Sequence, residues 1–314
     1  MRSSILENTS LTKFAWLSVG AAILTITLKT IAFLLTDSVG LLLDALESIV
    51  NLIGALMALA MLTIAARPAD EDHGYGHSKA EYFSSGVEGM LILIAALSIC
   101  ITAVPRLIAP KPLEQIKLGL AISVTASLIN LVVASVLIRV GRQRHSITLE
   151  TDAQHLLTDV WTSAGILVGV SMVAITGWER LDPIVAIFVA ANIVFVGVRI
   201  IRKSVLGLMD TALSSKEQEL ILNALQPYIE NDGIQYHALR TRQSGARQFV
   251  SLHVLVPGKW TVHDSHQLQE NIEADIRNVL PGVTVFTHLE SLDDPSSWDD
   301  MNLDRKESPS KKNE

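Results

Sequence analysis

With one cysteine, Cys100, the chain can form no intrachain disulfide and gather no thiolate cluster, so a disulfide framework and a cysteine-built zinc site within one protomer are both excluded. Charge is scarce as well. Only 18% of the 314 residues are Asp, Glu, Lys or Arg, against about 25% in ordinary soluble domains. That scarcity, with 49% hydrophobic residues and a mean hydropathy of +0.37, argues against a soluble protein of this length. The net charge is −7, and nothing in its distribution suggests a nucleic-acid partner. The first apolar run is too long for a signal-peptide core and lacks a small-residue cleavage site, so it is expected to remain as a membrane span.

The long apolar runs are confined to residues 11–208, and the remainder reads as a soluble sequence. A bilayer core about 30 Å thick needs about 20 apolar helical residues. Six stretches qualify: 14–35, 39–65, 85–108, 118–140, 155–176 and 183–205. An even number of spans puts both termini on one side. Lys13, Arg67, Lys79, Arg139, Arg142, Arg144, Arg199, Arg202 and Lys203 flank one face, against Arg106, Lys111, Lys117 and Arg180 on the other. The positive-inside rule then places both termini in the cytoplasm. The expected domains are a six-helix transmembrane unit (1–209), a cytoplasmic domain (210–292) and a polar, disordered tail (293–314).

Ionisable residues inside a span are costly and call for a function. The second span contains Asp44-Ala45-Leu46-Glu47-Ser48-Ile49-Val50-Asn51, and the fifth Asp152-Ala153-Gln154-His155-Leu156-Leu157-Thr158-Asp159. Spacings of three, four and seven put Asp44, Glu47 and Asn51 on one helix face, and Asp152, His155 and Asp159 on one face of the other. If the two stripes face each other, Glu47, Asn51, His155 and Asp159 supply four N and O ligands, enough for a tetrahedral divalent ion. Two carboxylates balance its charge, and the empty site should attract protons. Asp44, one turn away, could also reach the ion, but like Asp152 its position three residues before a ligand reads as a supporting or helix-packing one. Lys29, Glu88, Asn130 and Asn192 read as groups that pair between helices or snorkel.

Between the second and third spans, on the cytoplasmic side, Asp70, His73 and His77 form a D-x2-H-x3-H pattern. Gly74 and Gly76 let the backbone turn tightly enough for all three to meet one ion. From residue 210 the pattern is helix (216–229), strand (235–241), strand (248–256), helix (265–279), strand (283–290). Alternation in the second strand turns His253 away from the main apolar face. His237, His253, His263, His266 and His288 are five of the nine histidines, and Glu290 lies two residues beyond His288. Asp264 or Ser265 is expected to cap the second of these helices.

The Ser38-Val39-Gly40-Leu41-Leu42 lead-in, the His155-x3-Asp159 pair, the Asp70-x2-His73-x3-His77 loop with Gly76-His77-Ser78-Lys79-Ala80-Glu81, and His237 to Gly245 together resemble the cation diffusion facilitator family, over about residues 11–294. The resemblance implies an α-helical membrane protein with six transmembrane helices and a C-terminal α+β (α-β-β-α-β) metallochaperone-like domain. It implies a homodimer that exchanges Zn2+ or a related ion for protons. Carried over by position, Glu47, Asn51, His155 and Asp159 form the transport site, and Asp70, His73 and His77 a loop site. His237, His253, His266, His288 and Glu290 form a cytoplasmic site that bridges two soluble domains, with His263 an alternative to His266. Lys79 and Asp210 match a charge pair that holds the dimer together.

Glu47 and Asn51 depart from the Asp or His, then Asp, of well-known zinc members. A neutral carbonyl in place of a carboxylate makes the site harder and suits Mn2+, Fe2+ or Co2+ at least as well as Zn2+. The expected function is divalent-metal efflux by alternating access (Zn2+ foremost, or Fe2+, Mn2+, Co2+ or Cd2+), in a bacterial inner membrane. The alternative is a membrane-tethered metal sensor without transport. An intramembrane metalloenzyme would need an H-E-x-x-H pattern, which the sequence lacks.

Overall fold

The computed structural model describes residues 2–36, 39–109, 116–178, 180–299 and 301–303. Within the helices some side chains lie outside the described set, among them those of Asp44 and Glu47. The chain forms two compact units, residues 1–209 and 210–314.

The described residues of the first unit form six helices: α1 (Arg2–Thr36), α2 (Val39–Ala65), α3 (Ala80–Ile108), α4 (Ile116–Gln143), α5 (Ile147–Thr176) and α6 (Leu181–Leu208). Helices are what this composition dictates, because hydrocarbon offers backbone groups no partner outside their own segment. Among the described residues, four helical stretches, Leu11–Ile31, Ala80–Ile108, Val124–Gln143 and Pro183–Leu208, are long and apolar enough to cross a membrane. α2 adds the shorter apolar stretch Asn51–Ala65. α5 is 30 residues long, with part of its second half outside the described side chains. It starts eight residues before His155, so Asp152, His155 and Asp159 lie on one continuous helix, as their spacing requires.

α3 packs along α6, α1 along α2 and α4 along α5, while α5 also touches α2, α3 and α6. The α3–α6 seam is close because glycine sits on both sides. A Cβ on Gly197 would lie 2.7 Å from Leu93 Cδ2, and one on Gly89 2.8 Å from Ile201 Cγ1. Ile92, Ala96, Ile193 and Ile200 fill that seam, while Leu97, Ile101, Phe188 and Phe195 face outward, as lipid-facing side chains do. The start of α5 is tied to α3 by the buried Glu81. Its carboxylate accepts from the Ser146 hydroxyl, and its carbonyl from Thr148 Oγ1 at 3.1 Å. An anion at a helix N-terminus meets both free N–H groups and the positive dipole end. This anchor sets the register of α5 and therefore of its polar stripe.

The second unit is α7 (Ser215–Asp232), β1 (Gln235–Ser244), β2 (Arg247–Val256), α8 (Val262–Val279) and β3 (Thr284–Ser291), the expected α-β-β-α-β order. The sheet runs β1-β2-β3, antiparallel then parallel. Both helices cover one face, where Ile221, Leu225, Leu252, Val254, Ile272 and Ile276 form the core. Each such side chain stabilises by about 1.5–3 kcal/mol on burial. A capping box between Ser214 and Glu217 starts α7, and Gly233, at φ 67°, ends it in the left-handed conformation that glycine adopts without strain.

Two local expectations change. α8 begins three residues earlier than Ser265, because Thr261 caps it by accepting from the Asp264 amide at 3.2 Å, so neither Asp264 nor Ser265 is the cap. The start of the polar tail is folded: Pro295–Trp298 forms a 3-10 turn capped by Asp294 and packs on His237. Hydrogen bonds from the Ser296 amide and hydroxyl hold the Asp294 carboxyl below its usual range, against a small opposing effect of desolvation. Residues 304–314 lie outside the described residues.

Candidate metal centres

In the membrane unit α2 and α5 meet polar face to polar face. His155 Nε2 lies 2.6 Å from Asn51 Oδ1, and Asn51 Nδ2 donates to Asp159 Oδ2. The hydrogen-bond pattern fixes the chemistry. Asp159 only accepts, so the Asn51 amide turns its nitrogen to it and its oxygen to His155, which makes Nε2 the donor. Asn51 and His155 are both buried. A third helix reaches the same carboxylate, since Asn130 of α4 donates to Asp159 Oδ2 at 3.1 Å. Asn130 thus pairs between helices, as expected. Its signal was an amide in an apolar helix, and nothing in linear spacing ties α4 to Asp159.

Glu47 lies on α2 one turn before Asn51, and its side chain is outside the described residues, as is that of Asp44. Asp152, expected in a supporting role, accepts from Ser18 of α1 at 3.0 Å rather than from a ligand.

The loop brings its three residues together. Asp70 Oδ1 lies 3.0 Å from His73 Nδ1, Asp70 Oδ2 lies 3.3 Å from His77 Nε2, and the two rings are 4.3 Å apart. Gly76 makes the turn at φ 83°. Desolvation pushes the Asp70 carboxyl up, but hydrogen bonds from the His73 amide and ring, and the nearby imidazoles, outweigh it and hold Asp70 below its usual range. An acid that is ionised and flanked by two imidazoles is a donor set suited to a borderline cation.

In the second unit His237, His253 and His288 lie on the sheet face opposite the helices. Glu290 is the hub: Oε2 is 2.9 Å from His237 Nε2, and Oε1 is 3.4 Å from His253 Nδ1 and 3.6 Å from His288 Nε2. His253 and His288 pair across β2 and β3, and His237 pairs with His253 across β1 and β2. A bulge after His237, with Ala238 at φ 50°, re-aims β1 at this point. His237 also contacts the Ser297 carbonyl at 2.8 Å and packs on Trp298. Among the described residues, two groups of three can bring one ligand atom each within 4.8 Å of the others: Asp70, His73 and His77, and His237, His253 and Glu290. His266 is not in that second group. It sits exposed on α8, which packs on the helix-covered face, and His263 beside it lies 3.2 Å from Gln267 Nε2. Lys79 Nζ donates to the Leu208 carbonyl at 3.4 Å, and Asp210 accepts from Arg242 at the same distance, so each end of the expected charge pair has a partner within its own unit.

Residues 15–209 match the cation efflux transmembrane domain model, and residues 213–292 the cation efflux protein cytoplasmic domain model. The chain is 49% identical over 285 residues to an uncharacterized transporter of Synechocystis, covering 91% of this chain and 92% of that one. It is 31% identical to the cation-efflux pump FieF of Yersinia enterocolitica over 261 residues, covering 83% and 86%. To FieF of Serratia proteamaculans it is 30% identical, with the same coverage. With both domain models matched in order over most of its length, the chain belongs to the cation diffusion facilitator family of cation efflux transporters and carries that family's cytoplasmic C-terminal domain.

Proposed function

We propose that this chain exports a divalent transition-metal ion from the cytosol in exchange for protons, by alternating access, with Glu47, Asn51, His155 and Asp159 as the transport site. The observation that carries the reading is the meeting of Asn51, His155 and Asp159 between two helices of the membrane unit. Without metal these groups satisfy one another. The proton on His155 Nε2 occupies the space an ion would take, and when the ring carries its proton on Nδ1 instead, a nitrogen, an amide oxygen and a carboxylate face one point. The ion and the Nε2 proton therefore compete for the same nitrogen, while the carboxylates take up protons when the ion leaves. With the Glu47 and Asp159 carboxylates a divalent ion is formally neutral in the site, which lowers the cost of holding it at membrane depth.

Zn2+ fits the imidazole, and the amide oxygen widens the set to Fe2+, Mn2+, Co2+ and Cd2+. Asp70, His73 and His77 form an entry site at the cytoplasmic surface. His237, His253, His288 and Glu290 sense cytosolic metal and, in a homodimer, favour the transporting state. His266 joins only if a partner protomer brings it there. The protein lies in a bacterial inner membrane with six spans and both termini in the cytoplasm.

A second reading, a tethered metal sensor, is favoured by the histidine cluster alone. The two separate in proteoliposomes carrying a metal-sensitive dye and an imposed pH gradient. Metal uptake that collapses when the gradient is removed supports exchange. Binding without flux under any gradient supports the sensor.

A further inference from the structure

Beside the Asn51–His155–Asp159 constellation lies a second polar group that metal transport does not use. Glu88 of α3 and Asp152 of α5 are 0% and 3% exposed. Each engages one oxygen with a hydroxyl: Ser84 donates to Glu88 Oε1 at 2.7 Å, and Ser18 to Asp152 Oδ1 at 3.0 Å. The other oxygens, Glu88 Oε2 and Asp152 Oδ2, are buried with no hydrogen-bond partner. The two carboxyl groups are close enough to act on each other electrostatically.

The surroundings are compact. From α2, Gly54 leaves a gap at which a Cβ would lie 3.7 Å from the His155 ring and 3.8 Å from Glu88 Cγ, so the Glu88 stem and the transport-site imidazole border one point. His155 Nδ1 is itself buried and unpartnered. From α1 the group facing the pair is Ser18, and from α6 Ile200 and Ile201 pack on Gly89, next to Glu88. The α6 guanidinium Arg199 lies exposed over Phe195, and Asn130 of α4 is engaged with Asp159. Other titratable groups on these elements include Lys13 and the buried Lys29 of α1, Asp44 and Glu47 of α2, whose side chains lie outside the described residues, Arg106 and the buried Glu81 of α3, Glu150 and Asp159 of α5, and Arg202 and Lys203 of α6.

Two buried carboxylates near each other cannot both hold a charge at low cost, and each orphaned oxygen lacks a hydrogen. One added proton answers both needs. We propose that Glu88 and Asp152 together form a proton-binding site, and that a divalent ion arriving at His155 expels its proton. In that step the carboxyl O–H bond breaks, the proton leaves to water, and the carboxylate remains to offset the ion's charge. This rests on the transport-site reading above for its trigger, but not for the existence of the protonated pair.

The test is made on the full-length protein in detergent, as wild type, Glu88→Gln and Asp152→Asn. An amide in either place keeps an acceptor for its serine, and size-exclusion profiles screen for misfolding. Infrared difference spectra across a pH step should show a protonated-carboxyl C=O band, sensitive to D2O, that is lost in Glu88→Gln or Asp152→Asn. Calorimetry of Zn2+ binding in buffers of differing ionisation enthalpy should show about one fewer proton released per site-bound ion in both variants, with metal stoichiometry unchanged. A band and a proton count that match wild type in both variants would overturn the proposal. So would loss of one equivalent of bound Zn2+ in Glu88→Gln, because the pair would then be a second cation site. If Zn2+ does not bind the membrane unit at all, the transport-site reading fails, while the infrared band still decides whether the pair holds a proton.

Discussion

Asn130 Nδ2 lies 3.1 Å from Asp159 Oδ2, so a helix that contributes no charge to the membrane site fixes the direction of its carboxylate. A hydrogen bond to a ligand orients it, and removing such a partner typically costs 10–100-fold in metal affinity. Asn130→Leu, close in volume but unable to donate, should weaken metal binding at the transport site by about that factor while leaving the loop and cytoplasmic sites at wild-type affinity. Site-resolved metal titration of the purified protein checks this, and an unchanged transport-site affinity would remove Asn130 from the site.

Asn51→Asp restores a second carboxylate on α2 and loses the amide that donates to Asp159. Without metal, two carboxylates then face each other, which only a proton or a cation relieves. The variant should bind Zn2+ more tightly than wild type and lose relative preference for Mn2+. Competition uptake of the two ions measures the shift, and an unaltered ratio would place selectivity elsewhere.

The loop site has a pH signature. The pKa of Asp70 is lowered in the folded protein, so any stability it lends is present above its unfolded value and is lost only as pH falls through the lower, folded one. Between neutral pH and about pH 5 the carboxylate therefore stays ionised, and protonation of Asp70 does not limit binding there. Metal binding by a protein lacking the other two sites should therefore show no proton-linked loss in the ordinary carboxylate range, about pH 4. A midpoint in the carboxylate range would make Asp70 the limiting group.

In the cytoplasmic unit Glu290 touches three imidazoles, so Glu290→Gln should remove the metal-dependent gain in thermal stability of that unit. For wild type that gain is about 2.7 kcal/mol at a hundredfold excess of ion over Kd. The apo variant should unfold within about 1 kcal/mol of wild type, because the core lies on the other face of the sheet. Ile272→Ala, inside that core, should instead cost about 2–5 kcal/mol with or without metal. Calorimetric scans of both variants, with and without Zn2+, separate the two effects.

The architecture of the cytoplasmic unit was readable because its periods are clean: alternation along 250–256 put His253 on the face away from the core, where it lies. The stripes on α2 and α5 were readable because helical spacing fixes which residues share a face. What linear spacing could not carry was contact between elements. Asn130 reaches Asp159 from α4, Ser18 reaches Asp152 from α1, and Glu81 anchors the start of α5. Within one protomer His266 lies on α8, on the opposite face of the sheet from His237, His253 and His288, a separation that composition does not show. The cap of α8 at Thr261 was missed because Asp264 and Ser265 are equally good caps by type, and only backbone geometry separates them.

The most direct test of the account is metal flux into proteoliposomes for His155→Ala beside His253→Ala. The account predicts that His155→Ala abolishes pH-driven uptake while cytoplasmic metal binding persists, and that His253→Ala keeps uptake but weakens its dependence on metal at the cytoplasmic face. Full flux in His155→Ala, or complete loss in His253→Ala alone with the protein folded, would contradict a transport site between α2 and α5.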